Sequence, residues 1–151
     1  MGRVADRRGI EGLPLQLMIV AIVAGITAPV VYAGLDAYDR GQVESRVRGE
    51  LTRLARAAQQ YRLAGGGAET LHLDLRGGYF VPLEWVVIGD RPGGPFQNIV
   101  RYRVGGDNRA IVVERPPVSM AGPDGAALSL VAGEVSVHIE VLEDRVVLSV
   151  V

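Results

Sequence analysis

The sequence predicts an α+β protein in which one long N-terminal helix packs on an antiparallel β-meander or a small β-sandwich. Three observations predict this fold. An uncharged apolar run covers residues 13–35, and a run with helical periodicity continues it to Leu63. After three glycines at 65–67, apolar and polar residues alternate with a period of two, which is typical of half-buried strands.

The first element is the apolar run 13–35, which contains no charged residue. A helix of this length is about 35 Å long, more than the roughly 30 Å of a bilayer's hydrocarbon core. Arginines precede the run and aspartates follow it. The positive-inside rule therefore predicts a single-pass membrane protein with a cytoplasmic N-terminus and an extracellular C-terminal domain.

Three interpretations of this segment remain open on its composition. A cleaved secretory signal would use Val31-Tyr32-Ala33 as its small-x-small site, but its apolar core is normally only about 7–15 residues long. A permanent anchor would need no processing. A prepilin-type signal would lose a short leader, residues 1–9, and would keep the hydrophobic helix, residues 10–35.

The N-terminal residues favour the third interpretation. Arg7, Arg8 and Gly9, followed by Ile10 and the acid Glu11, precede an uninterrupted hydrophobic helix. This pattern, over residues 1–60, resembles the class III (prepilin) signal peptide of archaeal type IV pilins and archaellins. The resemblance implies that a prepilin peptidase cuts between Gly9 and Ile10. The retained helix would then form the filament core with other copies of the chain or related pilins.

The chain also departs from the bacterial form of this pattern. Bacterial pilins carry glutamate at the fifth mature position, whereas here Glu11 would be second and Pro14 fifth. This difference disfavours a bacterial major pilin. It leaves open which archaeal subgroup applies and whether the protein is an accessory subunit of an archaellum-like machine.

Glu11, Pro14 and Pro29 are the candidate assembly residues. In related filaments an acid near the new N-terminus is thought to pair with a neighbouring subunit's amine, which implies this role for Glu11. The alternative is that Glu11 lies in the cytoplasmic headgroup layer. Pro14 suits the first helical turn, where its missing N–H does no harm. Pro29 is expected to kink the helix because it removes a backbone hydrogen bond.

Residues 36–63 are predicted to continue the helix in amphipathic form. Glu44 and Arg48 are spaced for a favourable ion pair on its surface. An ordinary core helix following a membrane helix would give a similar pattern. The apolar positions recur at intervals of three and four: Val43, Val47, Leu51, Leu54, Ala55, Ala58 and Tyr61.

Residues 68–151 are predicted to form an extracellular antiparallel β domain of six or seven strands with no later helix. Glycines and aspartates between the strands indicate hairpins, with one turn at residues 105–108. Loops are expected at residues 91–98 and 115–125. The predicted strands cover residues 71–75, 84–89, 100–104, 110–114, 127–131, 135–141 and 146–150.

Composition limits the classes of partner. All sixteen basic residues are arginine, but they are scattered and matched by acids, which indicates codon usage in a GC-rich genome rather than phosphate recognition. Removal of residues 1–9 would take away three arginines and one aspartate and move the net charge from −1 to −3. No nucleic-acid partner is expected. Without cysteine, neither disulfides nor thiolate–metal sites can form.

Motifs for chemistry are few. No Gly-Gly pair has the spacing of a phosphate-binding loop, and no serine has the spacing of a nucleophile elbow. We expect no enzyme, cofactor or small-molecule substrate. His72 and His138, with Asp74 or Glu140, are the candidates for a metal site, but both histidines are expected on exposed strand faces, so no metal is predicted.

The aromatic residues allow two interpretations. Trp85 and the pair Tyr79-Phe80 would form an adhesive patch if they were exposed. In a domain with so few aromatic residues, we expect them in the core instead.

Two functions follow from these observations. The first is a structural subunit of a type IV pilus-like surface filament that serves adhesion, motility or DNA uptake. The alternative is a membrane-anchored β domain that binds cell-envelope or S-layer partners, as an accessory subunit of an archaellum-like machine.

Overall fold

The computed structural model describes residues 8–151, with side chains described from residue 14 onward. These residues contain one helix, α1 (Arg8–Leu63). The chain divides into two compact units, of which the first ends at Ala37 and the second is Tyr38–Val151. The strands are β1 (Ala68–Leu75), β2 (Leu83–Ile88), β3 (Ile99–Val104), β4 (Asp107–Val112), β5 (Met120–Ala121), β6 (Leu128–Leu130), β7 (Gly133–Val141) and β8 (Val146–Val150).

In the first unit, α1 continues through both prolines. Pro14 and Pro29 lie inside the helix, so the bend expected at Pro29 does not end it. The hydroxyl of Thr27 donates to the carbonyl oxygen of Val23, one turn earlier, at 2.7 Å. A polar group in this apolar segment is therefore satisfied within the helix itself.

In the second unit, the helix packs on two four-stranded sheets. One sheet has the order β1-β7-β8-β5 and the other β4-β3-β2-β6. All pairs are antiparallel except β5 and β8, which are parallel. The predicted α+β fold class is confirmed, and its β part consists of two sheets rather than one continuous meander.

The predicted apolar stripe of α1 forms the centre of the core. Val47, Leu51 and Leu54 are each 0% exposed. They share one cluster with the inward residues of both sheets, such as Leu75 of β1 and Tyr102 of β3. Because full burial of an aliphatic side chain is worth roughly 1.5–3 kcal/mol, this cluster is the main source of stability in the second unit.

The β3–β4 hairpin differs slightly from its predicted form. Its turn contains only Gly105 and Gly106, and Asp107 already pairs with Val104. Both glycines have positive φ, 52° and 86°, as a type I′ hairpin turn requires. Strand β4 therefore begins three residues before the predicted Ala110.

Two sequence predictions about the β domain were wrong. The segment 115–125 was expected to be a loop, yet it contains the short strand β5. The aromatic pair was expected in the core, yet Tyr79 is 92% exposed and Phe80 is 44% exposed. Trp85 is half-buried on β2.

Candidate membrane and assembly site

The apolar half of α1 is the first candidate surface. It is long and apolar enough to cross a membrane, with a mean hydropathy of 2.2 and no buried residue in its most apolar window. Such a helix is typical of a membrane span, because it is apolar all round. Its exposed large side chains are Leu15, Leu17, Met18, Ile19, Val20, Ile22, Val23, Ile26, Val30, Val31, Tyr32 and Leu35.

The predicted processing and assembly residues fall at the edge of the described chain. Arg7 lies outside the described residues. The backbones of Arg8, Gly9, Ile10 and Glu11 belong to the start of α1, while their side chains lie outside the described part.

The two candidate assembly prolines lie in the described part. Pro14 and Pro29 are exposed, and their separation of fifteen residues corresponds to about 22 Å along a helix. They therefore present two separate positions on the helix surface rather than one site.

At the N-terminal end of the second unit, Asp39 fixes the loop that precedes β2. Its carboxylate oxygen Oδ2 accepts hydrogen bonds from the backbone N–H groups of Phe80, at 2.7 Å, and Val81, at 3.0 Å. The hydrogen bond from the Phe80 N–H is the main reason why the pKa of the Asp39 carboxyl lies below its usual value. Any side chain at Gly78 would collide with this carboxylate.

Two arginines of α1 hold neighbouring loops at the same end. Arg40 Nη1 donates to the carbonyl oxygen of Gly105 and to Asp107 Oδ2, both at 2.9 Å. Arg46 donates to the carbonyl oxygen of Arg76 at 2.6 Å. We call Asp39, Arg40 and Arg46, together with loops 76–81 and 105–107, the N-terminal collar.

A charged pair joins the collar to the end of β1. The guanidinium of Arg76 donates from Nε and Nη2 to the two carboxylate oxygens of Asp74, both at 2.8 Å. These hydrogen bonds lower the pKa of Asp74 to about 2. They also raise the pKa of Arg76, so both groups stay charged over the physiological range.

Further polar contacts continue towards the C-terminal end of α1. Arg53 donates to the carbonyl oxygen of His72, and Gln59 donates to that of Pro116 at 3.1 Å. The hydroxyl of Tyr61 donates to Glu69 at 3.0 Å, which raises the pKa of the tyrosine. Arg62 donates to the carbonyl oxygen of Glu143 at 2.8 Å. The helix is thus hydrogen-bonded to the β domain along its whole second half.

The expected ion pair between Glu44 and Arg48 is replaced by a longer-range one. Glu44 Oε1 accepts from Arg109 Nε on β4 at 2.9 Å, and this hydrogen bond raises the pKa of Arg109. Sequence reasoning found neither this partner nor the collar. The available signal was that Asp39, Arg40 and Glu44 flank the apolar stripe closely, where long side chains can reach across to strand ends.

The two histidines do not form a joint site. In the β1–β7 register His72 lies opposite Ser136, and His138 lies opposite Thr70. His72 Nδ1 is 2.7 Å from the Ser136 hydroxyl oxygen, and His138 Nδ1 is 3.0 Å from that of Thr70. Within the described residues, no group of three or more His, Asp and Glu side chains is arranged to hold a metal ion.

The fold and these surfaces together are compatible with a single-pass membrane protein that carries a β domain on the second half of its helix. Comparison of the chain with protein-family models, with curated proteins and with solved structures gives no match.

Proposed function

We propose that this chain is a structural subunit of a type IV pilus-like surface filament. In this proposal it is inserted in the membrane through residues 10–35 and trimmed by a prepilin peptidase after Gly9. It then assembles with other copies, with the apolar helices inside and the β domains outside. Its N-terminus is cytoplasmic and its β domain extracellular.

The observation that carries the proposal is the division of α1 into two halves with different surroundings. The apolar half exposes large side chains such as Leu17, at 68%, and Val30, at 69%. In the second half Val47 and Leu54 are completely buried. A fully exposed apolar helix must be covered by lipid or by other protein, because water contact with so much apolar surface is unfavourable.

The hydrogen bonds between α1 and the β domain support the assembly step. They join the second half of the helix to loops at both ends of the domain, from Asp39 to Arg62. A domain held in this way keeps one orientation on the second half of its helix. Identical copies can then repeat the same contact along a filament. An open filament needs such a repeated head-to-tail contact, because heterologous contacts that do not close into a ring continue from copy to copy.

The decisive experiment determines the N-terminus of the native chain by mass spectrometry after extraction from its own membranes. We expect a chain that begins at Ile10. The variant Gly9→Val should retain its leader, because the added side chain crowds the peptidase site. Gly2→Val makes the same change within the leader but away from the bond, and should be processed normally.

Other N-termini would overturn this function. A start at Met1 or Gly2 in the parent chain would indicate a permanent anchor and favour the alternative, a β domain that binds cell-envelope or S-layer partners. A start at Gly34 would indicate a secreted domain. Electron microscopy of the cell surface adds a second measurement, since deletion of the gene should remove or alter a filament.

A further inference from the structure

Three exposed aromatic residues belong to the N-terminal end of the second unit. Tyr38 on α1 is 68% exposed, and Tyr79 and Phe80 in the loop before β2 are 92% and 44% exposed. The rings of Tyr79 and Phe80 meet edge to face, with centroids 5.0 Å apart. The chain has only five tyrosines, two phenylalanines and one tryptophan, so this end carries a large share of its aromatic residues.

The loop that carries two of these rings is firmly held. The Asp39 carboxylate binds the N–H groups of Phe80 and Val81, and the side chain of Val81 is 1% exposed within the core. Arg46 binds the carbonyl oxygens of Arg76 and Gly77. Tyr79 therefore lies on a loop that is held in place, and its ring stays outside the core.

The position of this loop along the sequence limits its distance from a bilayer. Asp39 follows Leu35, the last residue of the apolar run, by four positions. Even a fully extended chain of four residues spans at most about 14 Å. The headgroup region adds roughly 5–8 Å on each side of the hydrocarbon core. With Leu35 at the edge of that core, the loop bound to Asp39 is within reach of the headgroups.

The chemistry of the rings suits this layer better than water. A tyrosine has an apolar body and a polar tip, and for this reason it is enriched at membrane–water interfaces. The neighbouring charges largely balance, because Arg40 is paired with Asp107 and Arg76 with Asp74. The aromatic rings, rather than a net positive charge, are the feature of this end that would interact with lipid.

We propose that Tyr38, Tyr79 and Phe80 lie in the lipid headgroup layer while the chain is membrane-inserted, and so hold the β domain against the bilayer surface. This inference rests on the membrane insertion in the proposed function. It does not rest on cleavage or on filament formation.

The test uses the absence of cysteine from the chain. Single-cysteine variants Tyr79→Cys and Leu63→Cys of the full chain are labelled with a nitroxide and reconstituted in phosphatidylcholine vesicles. Leu63 is a matched control: it is 69% exposed and ends α1, and its neighbour Arg62 binds the β7–β8 turn at Glu143. We expect the ratio of oxygen to water-soluble nickel accessibility to be at least about twofold higher at position 79 than at 63.

Removal of the other two rings tests whether they cause this placement. In the variant Tyr38→Ser/Phe80→Ser the label at position 79 should move to the accessibility of the label at 63. Addition of phosphatidylglycerol to the vesicles should leave the values unchanged. A ratio that rises only with phosphatidylglycerol would overturn the proposal, because charge and not the rings would then bind the surface.

Three further outcomes would also overturn it. First, the chains could float with the vesicles and yet show equal accessibility at positions 79 and 63. This result would overturn the placement of the rings but not membrane insertion. Protection at 79 that depends on protein concentration would show that the rings contact another copy instead of lipid. Chains that fail to float would overturn both this inference and the proposed function.

Discussion

The two halves of α1 contain similar apolar residues but bury them differently. From Leu15 to Leu35 every large apolar side chain is at least 44% exposed. Between Val43 and Ala58 one face is buried almost completely. The difference lies in the polar residues between the apolar ones. Where they recur regularly, they define a face that the protein itself can cover, whereas an uninterrupted apolar run defines no face and depends on lipid or on other copies.

The largest effect is expected when the same substitution is made in each half. Leu51→Ala should lower the free energy of unfolding by about 2–5 kcal/mol, because Leu51 is 0% exposed and its loss leaves a cavity. Leu17→Ala, at a position that is 68% exposed, should change it by less than about 0.5 kcal/mol. Urea unfolding of the full chain in mild detergent measures both. Equal losses would show that the two halves do not differ as described.

An introduced arginine should have the opposite pattern of effects, with a large effect in the apolar half of α1 and none in the second half. Ile26→Arg should weaken membrane insertion by about 2.5–3.5 kcal/mol, the cost of an arginine near the centre of a spanning helix. The matched variant Gln60→Arg changes an exposed position in the second half and should leave insertion unchanged. Resistance to carbonate extraction measures insertion. Full retention of Ile26→Arg in the membrane would contradict the assignment of residues 14–35 as a span.

The sequence predicted those parts of the fold that depend on regular patterns. All seven predicted stripe residues of α1 are buried or packed against the core, and each predicted strand has a counterpart. These patterns are local, because periods of 3.6 and 2 can be recognised within ten residues. Strand β5 has only two residues and pairs in parallel with β8, which lies more than twenty positions later, so no local pattern could indicate it.

The polar contacts could not be predicted for the same reason. Asp39 binds the N–H of Phe80, which is 41 positions away, and Glu44 binds Arg109, which is 65 positions away. Sequence spacing along the helix instead suggested Arg48 as the partner of Glu44. Asp39 also holds the loop on which Tyr79 and Phe80 are exposed. The roles of residues Arg7 to Glu11 stay predictions from the sequence.

The two units of the chain should also differ in their response to acid. The Asp74 pKa of about 2 lies below the usual 3.8, so Asp74 contributes stability above about pH 4 that is lost as the pH falls towards 2. Its side chain is 30% exposed, and after solvent screening we expect a contribution of about 1 kcal/mol. Asp74→Asn should therefore lower stability at neutral pH and flatten the acid limb of an unfolding curve.

The control for this change is Asp144→Asn, at a side chain that is 70% exposed in the β7–β8 turn. It should change the free energy of unfolding at neutral pH by less than about 0.5 kcal/mol. Membrane association should not change over the same pH range, because residues 14–35 carry no acidic or basic side chain. Release from the membrane between pH 4 and 2 would contradict the comparison.

The smallest effects are expected at glycines. An added Cβ at Gly25 or at Gly49 would have no atom within 4 Å, and neither glycine needs a positive φ. In the amphipathic half, Gly49→Ala should raise the free energy of unfolding by about 0.4–1 kcal/mol, because alanine loses less backbone entropy in a helix.

In the apolar half, Gly25→Ala should leave unfolding of the β domain unchanged. Small residues let membrane helices approach each other closely. If copies of the apolar half pack together, Gly25→Ala should reduce the number or length of filaments in electron micrographs while monomer levels stay constant. A filament that tolerates alanine at Gly25 but not at Gly49 would place the contact between copies on the second half of α1 instead.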